Sequence, residues 1–99
     1  MEQLKSNRTA SQLPVNQPDA WTLLHDGEKA ILARWITEHI SPSPHVSSKT
    51  SYDLKLAFGS SVGGFYLTNG QFKGAMQAAG YEAVDESMVK WAYRITVNP

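Results

Sequence analysis

Residues 64–81 constrain the fold more than any other part of the chain, because they carry a complete set of helix signals. Thr68 and Gln71 have the spacing of a capping box, in which each side chain hydrogen-bonds to the backbone N–H of the other residue. Gly80 stands where a helix commonly ends in the left-handed conformation, which glycine adopts without a steric penalty. The segment therefore predicts a capped helix over residues 69–79, preceded by a short apolar stretch.

The predicted helix has two unlike faces. Apolar side chains recur at helical spacing on one face, which carries Phe72, Ala75, Met76 and Ala79. The opposite face is small, polar or basic and carries Gly70, Lys73, Gly74 and Gln77. Because small residues let another molecule approach a helix backbone closely, we expect the second face to be exposed and to bind a partner. Packing of the glycines against another helix of the same domain is the alternative.

Two further helices and a strand surround this helix. Helical periodicity covers residues 30–40, and the prolines of residues 41–44 end that helix and begin a linker. Thr50 or Ser51 can cap another helix, which stops near residue 59. Residues 89–97 alternate between apolar and polar side chains, which is typical of a half-buried antiparallel strand.

We predict an α+β fold, namely a three-helix, winged-helix-like domain with a small antiparallel sheet. Three helices followed by a hairpin is the element order of a winged helix, in which the third helix reads DNA. The predicted C-terminal hairpin pairs residues 82–84 with residues 89–97, and residues 65–67 are a candidate edge strand. The connection between residues 59 and 68 is longer than the turn of a helix-turn-helix, which has about 3–4 residues.

The chain is long enough for one domain, which we assign to residues 19–99. Residues 1–18 are rich in Gln, Asn and Ser and show no periodicity, so we interpret them as a mobile tail. The chain has no cysteine and therefore neither a disulfide nor a thiolate metal site. No apolar run approaches the roughly 20 residues of a membrane-spanning helix, so we expect no membrane partner. The absence of cysteine suits a reducing cytoplasm, where we expect the protein to be found.

The motifs give no indication of an enzyme. The three histidines, at positions 25, 39 and 45, are too scattered for a helical pair of metal ligands, and no phosphate-binding loop or nucleophile elbow occurs. We therefore predict a protein with no catalytic residue, no metal, no cofactor and no small-molecule substrate.

Charge allows nucleic-acid binding without requiring it. The chain has nine basic and nine acidic residues, but residues 49–81 carry the positive charges of Lys49, Lys55 and Lys73 against the single negative charge of Asp53. A locally basic face on a neutral domain is consistent with these positions.

The predicted contact residues are basic, amide or aromatic residues on or near the central helix: Lys55, Tyr66, Asn69, Gln71, Lys73, Gln77, Lys90 and Arg94. Amide side chains can pair with base edges, and lysines can contact phosphates. Tyr66 can stack on a base or fill a pocket of a protein partner. The alternative for Tyr66 is packing in the core. The alternative for Lys73 is a solvated side chain without a partner.

Four stretches of the chain, residues 51–55, 64–76, 79–81 and 91–95, resemble a family of small proteins from bacterial prophages and integrative elements. The resemblance extends from about residue 35 to residue 95 and implies no particular activity. A weaker similarity, in Thr68, Phe72, Gly80 and Tyr81, is to the winged-helix segment at the end of phage and plasmid primases. Phage genes of this size also encode counter-defence proteins such as anti-CRISPR inhibitors.

These observations lead to three hypotheses. The first is a non-catalytic protein of a phage or mobile element that binds DNA, or a DNA-processing complex, through the helix over residues 69–79. The second is a protein-binding inhibitor of a host defence complex, as anti-CRISPR proteins are. The third is an assembly module that forms a homodimer through an exposed strand edge.

Overall fold

The structure, a computed structural model, describes residues 10–98 apart from the side chain of Ser11. The fold is α+β, as predicted. Its helices and strands are α1 (Asp26–His39), β1 (Ile40–Val46), α2 (Ser51–Gly59), α3 (Asn69–Ala78) and β2 (Arg94–Val97). Three 3₁₀ turns precede them, at Ala10–Gln12, Pro14–Asn16 and Pro18–Leu23.

The predicted capping box of the central helix is confirmed. The N–H of Gln71 donates to Thr68 Oγ1 at 3.1 Å, and the N–H of Thr68 donates to Gln71 Oε1 at 3.0 Å. At the other end Gly80 has a φ of 96°, and the N–H of Tyr81 donates to Met76 O at 2.9 Å. Local capping interactions therefore fix both ends of α3.

The sheet consists of β1 and β2. Of the strand predicted over residues 89–97, only Arg94–Val97 forms a strand, and its pairing differs from the predicted hairpin. The two strands run antiparallel, with Ile40 opposite Val97 and Pro42 opposite Ile95. β1 thus occupies the region that was predicted to be a linker. Its prolines are compatible with a strand because β1 lies at the edge of the sheet. A proline there can lack its N–H on the side that faces solvent, where no strand needs a hydrogen-bond donor.

The prediction that residues 82–84 form the partner strand is wrong. The N–H of Val84 donates to Ala92 O at 2.9 Å, but these residues form no strand. The acidic turn between Val84 and Ala92 is stabilised by local hydrogen bonds, because Asp85 Oδ1 accepts from both the N–H and the hydroxyl of Ser87. Such local bonds favour a turn over a strand ladder.

Residues 65–67, the candidate edge strand, form no strand either. Leu67 is buried, and the Phe65 ring packs edge-on against Phe58 with 5.0 Å between ring centroids. This stretch therefore contributes side chains to the core instead of backbone hydrogen bonds to a sheet.

One apolar core joins the helices to the C-terminal segment. Its fully buried members include Leu32, Ile36, Leu54, Phe58, Phe72, Met76, Trp91, Tyr93 and Ile95. The Trp35 ring is half-buried and meets Phe58 and Phe72 edge-on, at centroid distances of 5.6 and 6.4 Å. The apolar stripe of α3 lies in this core from Phe72 to Met76, whereas Ala79 is exposed.

The chain before α1 packs directly on the glycine face of α3. A Cβ on Gly70 would overlap the backbone of Gln17, and a Cβ on Gly74 would overlap both the Pro18 carbonyl and the Trp21 side chain. We call residues 14–24 the N-terminal segment. The two glycines allow its backbone to lie against the helix, so their role is close packing within the domain.

The expectation that this face of α3 is exposed is therefore wrong for Gly70, Lys73 and Gly74, which are buried, whereas Gln77 is exposed. The physical reason is the cover supplied by the N-terminal segment. Of the predicted tail, Gln17 and Pro18 contact α3 in this way, and residues 1–9 lie outside the described part of the chain.

Candidate binding groove

Lys73, the predicted central contact, is 1% exposed. Its Nζ donates a hydrogen bond to Asn16 O at 2.9 Å and lies 4.5 Å from the centroid of the Trp91 ring. Burial disfavours the charged amine and lowers the pKa of Lys73. The prediction of an exposed Lys73 is wrong, and its ammonium connects the N-terminal segment to the core.

Asn69 is also buried, and its side-chain amide is engaged within the domain. Its Nδ2 donates to Asn16 Oδ1 at 2.9 Å and to Val89 O at 2.7 Å, so neither N–H is free for a base edge. Its Oδ1 accepts from the Ser51 hydroxyl at 2.7 Å, and that hydroxyl oxygen accepts from the Trp91 N–H at 3.0 Å. Asn69 therefore joins the N-terminal segment, α2 and the C-terminal segment.

The other two predicted amide contacts of α3, Gln71 and Gln77, do not form one binding surface. Gln71 is half-buried, and its Oε1 accepts the capping hydrogen bond from Thr68. Gln77 is exposed in the last turn, beside Gly80 and Tyr81. The helix over residues 69–78 thus presents no continuous polar face.

A different set of residues forms an open groove beside α2. We call it the tyrosine–lysine groove and define it by Tyr52, Lys55, Tyr66 and Lys90. The Lys55 ammonium lies 4.8 Å from the Tyr52 ring centroid and 5.1 Å from that of Tyr66. The Lys90 ammonium lies 4.9 Å from the Tyr52 centroid. The groove has a volume of about 480 Å³, and Val15, Leu56 and Val89 add apolar side chains to its walls.

Three parts of the chain converge to build this groove. Tyr52 and Lys55 are three residues apart on α2 and therefore share one face of that helix. Lys90 is held beside the first turn of α2, because Ser51 and Trp91 exchange hydrogen bonds: the Ser51 N–H donates to Trp91 O at 2.8 Å, and the Trp91 N–H donates to the Ser51 hydroxyl. Tyr66 comes from the loop that leads into α3.

The groove carries positive charge that no ion pair within the described part of the chain neutralises. Among residues 10–98, no carboxylate lies within 4.0 Å of the ammonium of Lys55 or Lys90. Asp53, on the same helix, caps α2 by accepting from the N–H and hydroxyl of Thr50 at 2.9 and 3.0 Å. These hydrogen bonds lower the pKa of Asp53, with a smaller contribution from Lys49 and Lys90.

The structure therefore brings Lys55, Tyr66, Asn69 and Lys90 of the predicted contact residues to one place. Lys55 is itself 8% exposed, so its charge reaches the groove from a largely buried side chain. Arg94 is exposed on β2 and Gln77 on α3, and neither lines the groove.

Sequence reasoning missed Tyr52 as a surface residue. Its i, i+4 pairing with Leu56 had the same apolar spacing as the pair of Leu54 and Phe58, and only the second pair lies in the core. Tyr52 and Leu56 are 38% and 48% exposed. The spacing within α2 does not distinguish the two pairs, and Lys55, which lies between Tyr52 and Leu56, is itself largely buried.

Neither a metal cluster nor a membrane span is found in the described residues. Within residues 10–98, no three side chains of His, Cys, Asp or Glu come together in a way that could hold a metal ion. None of the described helices has both the length and the apolar character that crossing a bilayer requires.

Comparison of the chain with protein-family models, with curated proteins and with solved structures finds no match. The resemblance to prophage proteins and to primase segments accordingly stays a prediction.

Proposed function

We propose that the chain is a non-catalytic nucleic-acid-binding protein of a mobile element, and that its contact surface is the tyrosine–lysine groove. The observation that carries this proposal is the placement of the ammonium groups of Lys55 and Lys90, which have no carboxylate partner among residues 10–98, beside the rings of Tyr52 and Tyr66. Lysines contact phosphates, and aromatic rings accept the flat faces of bases. This combination matches the phosphate and the base of a nucleotide.

The expected affinity is modest. Two lysine–phosphate contacts correspond to a slope of about −2 in a plot of log binding constant against log salt concentration. A protein with so few contacts binds with a dissociation constant of roughly 1–100 μM under physiological salt. We therefore propose that the groove acts together with a second site, either on another copy of the chain or on a DNA-processing complex.

The order of elements supports a winged-helix-like arrangement. The order is helix, strand, helix, helix and strand, with the first strand antiparallel to the last. The hydrogen bond between Val84 and Ala92 closes a loop at the position of a wing, and Lys90 lies on that loop. In this proposal the wing contributes Lys90 to the contact surface, whereas α3 packs in the core.

A titration of fluorescently labelled oligonucleotides at about 50 and 200 mM salt tests the proposal. The variant Lys90→Gln removes an exposed charge from the groove, and Arg94→Gln is the matched control because Arg94 is also exposed but lies outside the groove. We expect Lys90→Gln to weaken binding and to reduce the salt slope by about 1, whereas Arg94→Gln leaves both unchanged. Absence of any nucleic-acid binding at the lower salt concentration would reject the proposal.

A protein-binding inhibitor of a host defence complex is the second candidate. It is favoured by the exposed apolar residues around the groove, since Val15, Leu56 and Tyr66 are 53%, 48% and 78% exposed. Aromatic and aliphatic anchors of this kind dominate many protein interfaces. A complex formed through them would lose little affinity with salt, whereas nucleic-acid binding would lose much.

A further inference from the structure

We infer that the ligand of the tyrosine–lysine groove is single-stranded nucleic acid, bound by stacking of a base on Tyr66, and that duplex DNA binds more weakly. This inference rests on the proposed function, because it concerns the ligand of the same groove. It goes beyond that function by naming the form of the nucleic acid and the residue that selects it.

Tyr66 has the properties of a stacking platform. The residue is 78% exposed, yet the chain on both sides of it is fixed: Phe65 packs on Phe58, Leu67 is buried, and Thr68 caps α3. The Lys55 ammonium lies 5.1 Å from the centroid of the Tyr66 ring, and the high exposure leaves the rest of the ring open to solvent. A ring on an anchored backbone loses little conformational freedom when a base stacks on it.

The lysines lie where the phosphates of a stacked strand would need them. One ammonium, that of Lys55, is within about 5 Å of both tyrosine rings, and that of Lys90 lies beside Tyr52 at the other side of the groove. Rings and positive charges therefore alternate along the surface. Nucleic-acid proteins that bind single strands combine these two features in the same way.

Base stacking on a protein ring requires a base whose face is open. In a duplex the faces of the bases are covered by their neighbours, so Tyr66 can reach only the ends, whereas every base of a single strand offers a face. Reading a duplex usually requires an exposed helix or ribbon that enters the major groove. In this chain α3 cannot supply that helix, because the N-terminal segment covers its face at Gly70 and Gly74.

The lining of the groove further predicts little preference for base sequence. Both N–H groups of the Asn69 amide are used by Asn16 and Val89, and Val15 and Leu56 are apolar. Few hydrogen-bonding groups remain to read base edges, and stacking by itself tolerates any base. DNA and RNA strands share the chemistry that the groove recognises, so both belong in the test.

The test is a fluorescence anisotropy titration at about 50 mM salt with oligothymidine, oligouridine and a mixed-sequence duplex, each about 12 nucleotides long. We expect either or both single strands to bind at least about fivefold more tightly than the duplex. We expect Tyr66→Ala to weaken single-strand binding about tenfold, and Tyr66→Phe to retain it because the ring remains.

Leu23→Ala is the matched control, since Leu23 is 80% exposed and lies outside the groove. Thermal melts of all variants verify the fold, and Tyr66→Ala should melt with the wild type because the side chain is mostly exposed. Duplex binding as tight as single-strand binding, with Lys90→Gln weakening both, would overturn this inference and leave the proposed function intact. Equal binding by Tyr66→Ala and the wild type would also overturn it. If no nucleic acid binds at all, the proposed function fails together with it.

Discussion

The ammonium of Lys73 lies between the Asn16 carbonyl oxygen and the face of the Trp91 ring, in a site closed to solvent. Lys73→Glu would put a buried carboxylate beside a carbonyl oxygen, and we expect it to lower the free energy of unfolding by about 3–5 kcal/mol. Lys73→Met keeps the packing of the side-chain stem but loses the charged hydrogen bond and the contact of the ammonium with the Trp91 ring, at a cost of about 1–3 kcal/mol.

Urea denaturation followed by tryptophan fluorescence measures the free energy of unfolding of both Lys73 variants. A Lys73→Glu protein with the wild-type denaturation midpoint would show that the side chain lies in solvent after all, and that the N-terminal segment does not cover α3.

The hydroxyl of Tyr93 is buried and has no hydrogen-bond partner among the described residues. We expect Tyr93→Phe to raise the free energy of unfolding at neutral pH by about 1 kcal/mol, because an unsatisfied buried hydroxyl is removed. A wild-type protein that is clearly more stable than Tyr93→Phe at neutral pH would contradict the buried, unpartnered hydroxyl.

The pH dependence of Tyr93 gives a second measurement of the same group. Burial raises its pKa above the ordinary tyrosine value of 10.0, so the folded protein retains a proton that the unfolded chain releases. This contribution to stability is complete below pH 10 and is lost as the pH rises above it. Denaturation between pH 8 and pH 11 should therefore show a smaller alkaline loss of stability for Tyr93→Phe than for the wild type.

At the residue scale, the sequence predicted local chemistry well and long-range burial poorly. The capping partners Thr68 and Gln71 are three residues apart, so their interaction is readable from spacing alone. The partner of Lys73 is the Asn16 carbonyl, 57 residues away along the chain. Helical periodicity places Lys73 opposite the apolar stripe, but periodicity contains no information about a second segment that covers that side.

At the scale of elements, α3 and the N-terminal segment depend on two glycines. Glycine inside a helix ordinarily costs about 1 kcal/mol relative to alanine. We expect Gly74→Ala nevertheless to destabilise the protein, because the new Cβ would overlap the Pro18 backbone and the Trp21 side chain. Thermal denaturation should show a melting temperature below that of the wild type.

Gly59→Ala is the matched control for this prediction. An added Cβ at Gly59, in the last turn of α2, would lie 3.6 Å from Phe65 O, which is an ordinary contact distance. We expect it to raise stability by about 0.4–1 kcal/mol, because alanine restricts the unfolded chain. A stabilised Gly74→Ala would mean that the N-terminal segment does not press against α3.

The sheet was predicted as a hairpin because β1 contains Pro42 and Pro44, and prolines usually indicate a turn or linker. An edge strand tolerates prolines, so β1 forms although its local sequence indicates a turn or linker. The apolar alternation of the C-terminal segment was interpreted correctly in one respect, since Trp91, Tyr93 and Ile95 are all buried. Alternation identifies which side chains face the core, but it does not identify the strand that pairs with them.

At the scale of the whole molecule, three distant stretches of a neutral chain combine into one locally basic surface. The sequence indicated Lys55, Tyr66 and Lys90 as contact residues, but it did not indicate Tyr52 and it assigned the working surface to α3. The groove emerges only when α2, the loop before α3 and the C-terminal segment meet, and that arrangement depends on the hydrogen bonds of Ser51 with Trp91 and Asn69. No spacing rule within one element could have predicted it.

The location of the bound strand tests the central claim most directly. Titration of the ¹⁵N-labelled protein with oligothymidine, followed by amide chemical shifts, should perturb Tyr52, Lys55, Tyr66 and Lys90, which surround the groove. Gln77 and Arg94, which are exposed elsewhere, should not shift. Perturbations centred on Gln77 or Arg94, with the four groove residues unaffected, would contradict the tyrosine–lysine groove as the nucleic-acid site.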